Sequence, residues 1–217
     1  MPALALYTYF RSSCSYRVRI ALALKGLAFD SRYIHLLRDG GENWQPEYRR
    51  QNPQGLVPTL VDGQRIFTQS LAIIEYLDEC YPDPPLLPAD VRDRARVRAL
   101  AQVIASDIQP LNNLRVLDFL NRELGASEQQ VQVWYRHWIT EGFHAVEALL
   151  GRQRQTATCC CGDVPTVADI CLIPQAYNAL RFHCELEAFP TVWKVYEHCT
   201  TLPAFQAAAP ENQADAA

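Results

Sequence analysis

Hydrophobic and polar positions keep two different rhythms along this chain. Residues 4–9 form a short apolar run rich in aromatics, which predicts a strand. Ser12 and Ser13 then offer helix N-caps. Residues 16–25 read as a mostly buried helix through Val18, Ile20, Leu22 and Leu24, with Gly26 at its end. A second strand is predicted over 29–37, a polar, flexible loop over 39–43, and a short helical turn over 48–52, closed by Pro53. A third strand over 56–61 is approached through Pro58. Asp62-Gly63 is a hairpin signal, and 65–68 form the returning strand. Ser70 caps the next helix, whose apolar side carries Ala72, Ile73, Ile74, Tyr76 and Leu77. Strand–helix–strand followed by strand–strand–helix makes one compact α/β unit with a mixed sheet.

Residues 82–88 are a stiff, proline-rich linker, and everything beyond it predicts helix. Apolar positions recur at helical spacing over 91–120 and over 128–150, the latter with Trp134, Trp138 and Phe143. Thr166 and Asp169 have capping-box spacing, with Asp in place of the usual Glu or Gln, and open a helix that runs to Phe182. Pro174 inside it predicts a kink. The tail from Pro210 is polar and alanine-rich, which predicts fraying. The expected division is 1–83, a linker over 84–90, and an all-helical 91–217.

Composition narrows the function classes. The chain has 217 residues, enough for one large or two small domains. A net charge of -4 gives no reason to expect nucleic acid or an anionic membrane as partner. No apolar run approaches the roughly 20 residues of a membrane span. The N-terminus lacks the basic stretch and long apolar core of a signal peptide, so a cytoplasmic location is expected. In such a chain the eight cysteines are expected as thiols. Cys80, Cys171, Cys184 and Cys199 lie in apolar helical patterns and read as buried. The run Cys159-Cys160-Cys161 lacks the spacing of a metal site, because adjacent residues do not converge on one tetrahedral ion, and no metal is expected there.

Chemistry concentrates where the first helix begins. A helix N-terminus after a strand offers unpaired N–H groups and about half a positive charge. Ser12, Ser13, Cys14 and Ser15 add hydroxyls and a thiol there. Such a place stabilises an anion: a phosphate, the thiolate of Cys14, or the thiolate of a ligand. Val57-Pro58 is a candidate cis bond that would present the Val57 backbone to a peptide-like ligand, as an added strand would. Gln69-Ser70, at the next helix start, is a second anion-ready site. A ligand with a peptide backbone, a free carboxylate and a thiol matches all three features, and glutathione is such a ligand.

On these residues the chain resembles the cytosolic glutathione transferases. The segments 12–22, 52–60 and 69–77, with 108–115 and 162–169, resemble the zeta class, the class identified with maleylacetoacetate isomerase and close to the maleylpyruvate isomerases. The resemblance covers nearly the whole chain. It implies a thioredoxin-like glutathione-binding domain, an all-helical substrate domain and a homodimer. By position, Ser12 matches the catalytic serine and Cys14 the active-site cysteine. Ser12, Ser13, Cys14, Ser15, Val57, Pro58, Gln69, Ser70, Gln109 and Asn113 match the glutathione-binding positions. Arg11, Arg115 and Arg181 match arginines that hold the substrate's carboxylates. The chain departs from the pattern at Gln109, where many bacterial members have His, and at the triple cysteine.

The activity this implies is glutathione-dependent cis–trans isomerisation of a maleyl keto acid, in aromatic-acid or tyrosine breakdown. Three rival readings stand beside it. The same thiolate could displace halide from small α-halo acids. The chain could be a non-catalytic binding module, against which the intact Ser12, Val57, Pro58, Gln69 and Ser70 argue. A thiol–disulfide reductase built on Cys14 would lack its second cysteine, since Arg11 and Arg17 stand three residues to either side.

Overall fold

The computed structural model describes residues 4–152 and 157–216. The first three residues, part of the N-terminal segment considered above, lie outside the described residues. Contacts divide the chain into two units, one made of the residues up to Leu86 together with those from Leu202 on, the other of Leu87–Thr201.

The first unit runs β1 (Leu4–Thr8), α1 (Ser13–Leu24), β2 (Phe29–Tyr33), α2 (Pro46–Gln51), β3 (Thr59–Asp62), β4 (Arg65–Thr68) and α3 (Ser70–Cys80). The sheet order is β2-β1-β3-β4. β1 pairs parallel with β2, Leu4 opposite Phe29, and antiparallel with β3, Tyr7 opposite Thr59. The βαβ turn makes the parallel pair and the Asp62-Gly63 hairpin closes β3 on β4, Asp62 opposite Arg65. α1 is buried from Ser15 to Leu22, so its apolar residues surround it rather than forming one stripe.

The second unit is helical: α4 (Val91–Gln102), α5 (Leu114–Arg122), α6 (Glu128–Gly151), α7 (Val167–Arg181) and α8 (Pro190–Thr200). The helix expected over 91–120 is broken. A wide π turn over Val103–Ile108 and a 3-10 turn over Gln109–Asn112 separate α4 from α5. Pro110 has no N–H to continue the ladder, and Asn113 caps the new helix by accepting from the Arg115 N–H at 3.2 Å. The capping box of α7 forms as read: Asp169 accepts from the Thr166 N–H at 2.8 Å and Thr166 Oγ1 at 2.9 Å. Pro174 lies within a helix that continues on both sides of it.

The chain then returns to the first unit. α9 (Pro203–Ala208) packs against α1, so residues from 202 on do not stay with the helices, as the division at 91–217 had expected. The tail is not frayed. Pro210–Asn212 form a 3-10 turn, Gln213 Nε2 donates to the carbonyls of Ala207 and Ala209, and Asp215 Oδ2 accepts from the Phe10 N–H at 3.0 Å.

Other expectations shift for local reasons. β2 stops at Tyr33 rather than residue 37. Beyond it, the His35 N–H donates to Glu42, and His35 Nδ1 accepts from the N–H groups of Leu37 and Arg38. The loop over 39–43 is pinned by Asn43, buried and donating to the Gly55 carbonyl at 2.8 Å. Cys80 is exposed in the last turn of α3 and Cys184 is half-buried, whereas Cys171 and Cys199 are buried.

Candidate functional site around the start of α1

The chain leaves β1 at Thr8 and turns through residues 9–12 into α1. Tyr9 is buried with Tyr48 and Val57, and its carbonyl accepts from the Ser12 N–H at 3.0 Å. Arg19, 2% exposed, holds the same turn from below. It donates to Thr8 Oγ1, the carbonyls of Tyr9 and Phe10, and the Ala208 carbonyl of α9. Burial lowers its pKa to about 10, opposed by Asp215, so it remains a cation at neutral pH.

Ser12 caps α1, its Oγ accepting from the Ser15 N–H at 3.2 Å. A hydroxyl has one proton and two lone pairs. With one lone pair committed to the cap, the Ser12 proton stays available to a sulfur or oxygen anion at the helix start. Cys14, in the first turn of α1, is half-buried. Ser13 and Ser15 are buried.

Arg17, 1% exposed, joins this turn to the start of α3. Its Nη1 donates to Ser70 Oγ at 3.3 Å and lies 3.8 Å from Cys14 Sγ. Arg17 Nε, Arg17 Nη2 and Ser15 Oγ are buried without hydrogen-bond partners. Native folds leave few such groups unpaired. Here three gather around the first turns of α1, the signature of a place that receives a polar ligand or ordered water.

The other two anticipated features lie in the same unit. Val57-Pro58 is a cis peptide, and the β1–β3 ladder begins only at Thr59, so the Val57 backbone stands outside it. Its loop is held by Tyr48, whose hydroxyl hydrogen-bonds the Leu56 carbonyl and Thr59 Oγ1, and by Asn52 Nδ2, which also donates to the Leu56 carbonyl. Burial pushes the Tyr48 pKa up to about 12, opposed by the hydrogen bonds to Thr59 and Asn52. Gln69 has φ +69°, a left-handed value costly for a side chain with Cβ, and its Nε2 donates to Gln54 Oε1 at 2.8 Å. Ser70 opens α3 and is buried. Arg11 is exposed, with its guanidinium over the Phe10 ring.

The remaining predicted residues belong to the second unit. Gln109 begins the 3-10 turn and is half-buried. Asn113 is the cap of α5, and Arg115 is exposed in its first turn. Arg181 ends α7, exposed, with its guanidinium over the Phe182 ring, which stacks on Tyr135 at 3.6 Å between centroids. Burial raises the Tyr135 pKa, opposed by Arg181.

The sequence reading missed Arg17, Arg19, Tyr48 and Gln54. Two arginines inside the run Tyr16–Leu22, otherwise apolar, were the available signal: a cation in a buried stripe needs a reason.

Residues 6–85 match the family described as glutathione S-transferase, N-terminal domain. A probable maleylacetoacetate isomerase of Vibrio cholerae is 49% identical over 217 residues, covering 100% of both chains. A maleyl pyruvate isomerase, described as a bacterial zeta-class glutathione transferase, superposes with a TM-score of 0.95 at 44% identity, covering 98% of this chain and 100% of its own. A maleylacetoacetate isomerase of Anaeromyxobacter dehalogenans, solved with dicarboxyethyl glutathione and citrate in its active site, superposes with a TM-score of 0.85 at 40% identity, covering 100% of both.

Proposed function

This chain belongs to the zeta class of the glutathione transferases, and on that premise we propose that it is a glutathione-dependent cis–trans isomerase of a maleyl keto acid. Its substrate is maleylacetoacetate, giving fumarylacetoacetate, or maleylpyruvate, giving fumarylpyruvate. Glutathione is its cofactor.

The observation that carries this reading is the Ser12 hydroxyl, bound to the cap through a lone pair and free to donate. A thiol of pKa about 8.5 is only a few per cent ionised at pH 7. Lowering it by about two units requires roughly 2.7 kcal/mol. A charge-assisted hydrogen bond from Ser12 contributes about 1.5–3 kcal/mol, and the helix terminus about 0.3–1 kcal/mol. No general base is needed.

The glutathione thiolate adds to the cis double bond conjugated with the ketone. The carbon–sulfur bond forms, the alkene electrons move to the ketone oxygen as an enolate, and the former double bond turns as a single bond. Collapse of the enolate restores the alkene in the trans form and expels the thiolate, so glutathione is unchanged. Dicarboxyethyl glutathione, held by the Anaeromyxobacter relative, is the thioether that arises when this sulfur adds across a butenedioate and the adduct is protonated. It supports addition of sulfur to an unsaturated dicarboxylate.

We assign Ser12 as donor to the sulfur and Cys14 as a neighbouring group assisting the bound thiol. Ser13 and Ser15 shape the anion site. The Val57 backbone, aligned by Pro58, pairs with the peptide part of glutathione, and Gln69 and Ser70 take its free carboxylate. Gln109 and Asn113 complete the glutathione contacts. Arg11, Arg115 and Arg181 take the substrate's carboxylates and favour the enolate charge. Residues 1–83 act as the glutathione domain and 91–201 as the substrate domain, in a cytoplasmic homodimer. No helix among the described residues is long and apolar enough to cross a membrane.

The test is to mix the protein with glutathione and either maleylacetone or maleylpyruvate and follow loss of the cis isomer. Glutathione-dependent conversion at catalytic protein concentrations is expected. No acceleration with either substrate sinks the proposal. Chloride release from dichloroacetate without isomerisation would assign the site to halide displacement instead.

A further inference from the structure

The triple cysteine acquires partners in the second unit that adjacency along the chain concealed. The segment around it folds back on itself: the Cys159 N–H donates to the Gly162 carbonyl at 3.0 Å, and Thr158 Oγ1 donates to Asp163 Oδ1 at 3.0 Å. This turn sends Cys159 and Cys160 inward, both buried, onto Asp169 and Cys199, which are also buried. Asp169 Oδ2 is committed to Thr166, while its Oδ1 accepts from the Cys160 N–H at 2.7 Å. One ligand atom each from Cys159, Cys199 and Asp169 all lie within 4.8 Å of one another.

We propose that Cys159, Cys199 and Asp169 form a binding site for one thiophilic divalent cation of the zinc type. The sequence reading expected no metal at residues 159–161, because neighbours in the chain cannot converge on one ion. The fold supplies the missing donors from α7 and α8. Zinc bonds of about 2.3 Å to sulfur and about 2.0–2.2 Å to oxygen give donor–donor edges of roughly 3.4–3.8 Å in a tetrahedron. The three donors, all within 4.8 Å of one another, therefore need to close by about 1.4 Å at most. Charge also favours the exchange. Asp169 and two thiols carry one negative charge. The ion replaces the two thiol protons, and Asp169, two thiolates and a divalent cation again carry one negative charge. The buried net charge is unchanged, so desolvation of net charge does not oppose uptake. Two thiolates and one carboxylate suit zinc or cadmium, not magnesium or calcium.

The experiment uses the full chain, reduced and freed of metal with a chelator, titrated with Cd²⁺ as a spectroscopic substitute for Zn²⁺. One ion per chain is expected, with a thiolate-to-cadmium charge-transfer band and a raised melting temperature. Cys80→Ser, at an exposed thiol, should retain both effects, and Cys159→Ala and Cys199→Ala should lose them. Equal binding by Cys199→Ala places the ion on exposed thiols and overturns the proposal. X-ray absorption of the zinc-loaded wild type needs no variant: a shell with at least two sulfurs supports the site, and a shell of nitrogen and oxygen alone overturns it. A Cys159–Cys199 disulfide in the isolated protein with no metal uptake after reduction overturns it too. None of these readouts depends on isomerase activity.

Discussion

Arg17 and Ser70 are joined by a buried hydrogen bond of 3.3 Å that ties the first helix to the start of the third. Because Ser70 Oγ accepts from the guanidinium, its own proton is left to donate to an anion. The same Arg17 nitrogen lies 3.8 Å from Cys14 Sγ, and Arg17 Nε and Nη2 have no hydrogen-bond partner. Arg17 thus positions one proposed carboxylate ligand while placing positive charge beside the half-buried thiol.

Replacing Arg17 should therefore weaken glutathione binding more than turnover. Hydrogen bonds involving a charged group contribute about 1.5–3 kcal/mol, which corresponds to roughly 10–150-fold. Arg17→Met should raise KM for glutathione within that range, with Arg17→Lys in between. Arg17→Met combined with Ser70→Ala should be no worse than the poorer single variant, because both remove one interaction. Titration calorimetry of glutathione binding to the wild type, Arg17→Met, Ser70→Ala and the double variant reads this directly. Fully additive losses would separate the two residues.

Ser12 has two duties that one substitution removes together. Ser12→Ala loses the cap, costing about 0.5–2 kcal/mol of stability. It also loses the donor to the sulfur, which should lower kcat by roughly 10–150-fold. Ser12→Thr keeps both oxygen and proton and should recover most of kcat and stability. Cys14→Ala should retain far more activity than Ser12→Ala. Thiolate absorbance of bound glutathione across a pH series separates the two duties: the bound thiol should titrate at higher pH in Ser12→Ala and not in Ser12→Thr.

Much of this fold is legible in the amino-acid sequence. The order of strands and helices followed from short apolar runs, the Asp62-Gly63 turn and the Ser12 and Thr166 caps, because each is a local preference that the fold does not overrule. Element ends were less legible. β2 ends early because His35 and Glu42 capture backbone N–H groups, a side-chain effect invisible to periodicity. The helix over 91–120 breaks because Pro110 removes a donor at its middle. At the site, Ser12, Val57 and Ser70 stood out as caps and a proline approach. Arg17 did not, since its partners lie 3 and 53 residues away. The left-handed backbone of Gln69 has no sequence signal at all.

Tyr48 should link alkaline stability to the Val57 loop. Its hydroxyl bridges the Leu56 carbonyl and Thr59 Oγ1, and its pKa is pushed up to about 12. A phenol whose folded pKa exceeds its unfolded value of about 10 keeps its proton better in the native state. Its contribution is complete below pH about 10 and is lost as pH rises from there through about 12. Urea melts at pH 9 and 11 should show this loss in the wild type and less of it in Tyr48→Phe. At pH 7, Tyr48→Phe should cost about 1–3 kcal/mol for the partners it leaves behind. It should also raise KM for glutathione, because the loop before Val57 loosens.

The ion pair of Lys25 and Asp78 is the place where a change in the first unit should act on stability before chemistry. Lys25 Nζ donates to Asp78 Oδ1, the Tyr81 carbonyl and the Pro84 carbonyl, at 2.5, 2.6 and 2.8 Å, so its three protons are all used. Asp78 Oδ1 also accepts from the Leu86 N–H at 2.8 Å, which ties α1, α3 and the proline-rich segment together. The lysine side chain is 0% exposed and the aspartate 15%. Removing one partner of such a pair costs about 3–5 kcal/mol, and the partial exposure of Asp78 places Lys25→Met at the lower end. At roughly 2–4 °C per kcal/mol for a chain of this size, the melting temperature should fall by about 6–12 °C. Lys25→Met with Asp78→Leu removes the stranded charge and should recover part of the loss. Recovery should be incomplete, because the Tyr81 and Pro84 carbonyls and the Leu86 N–H still lack their partners. A double variant as stable as the wild type would mean that water replaces the lysine at those carbonyls.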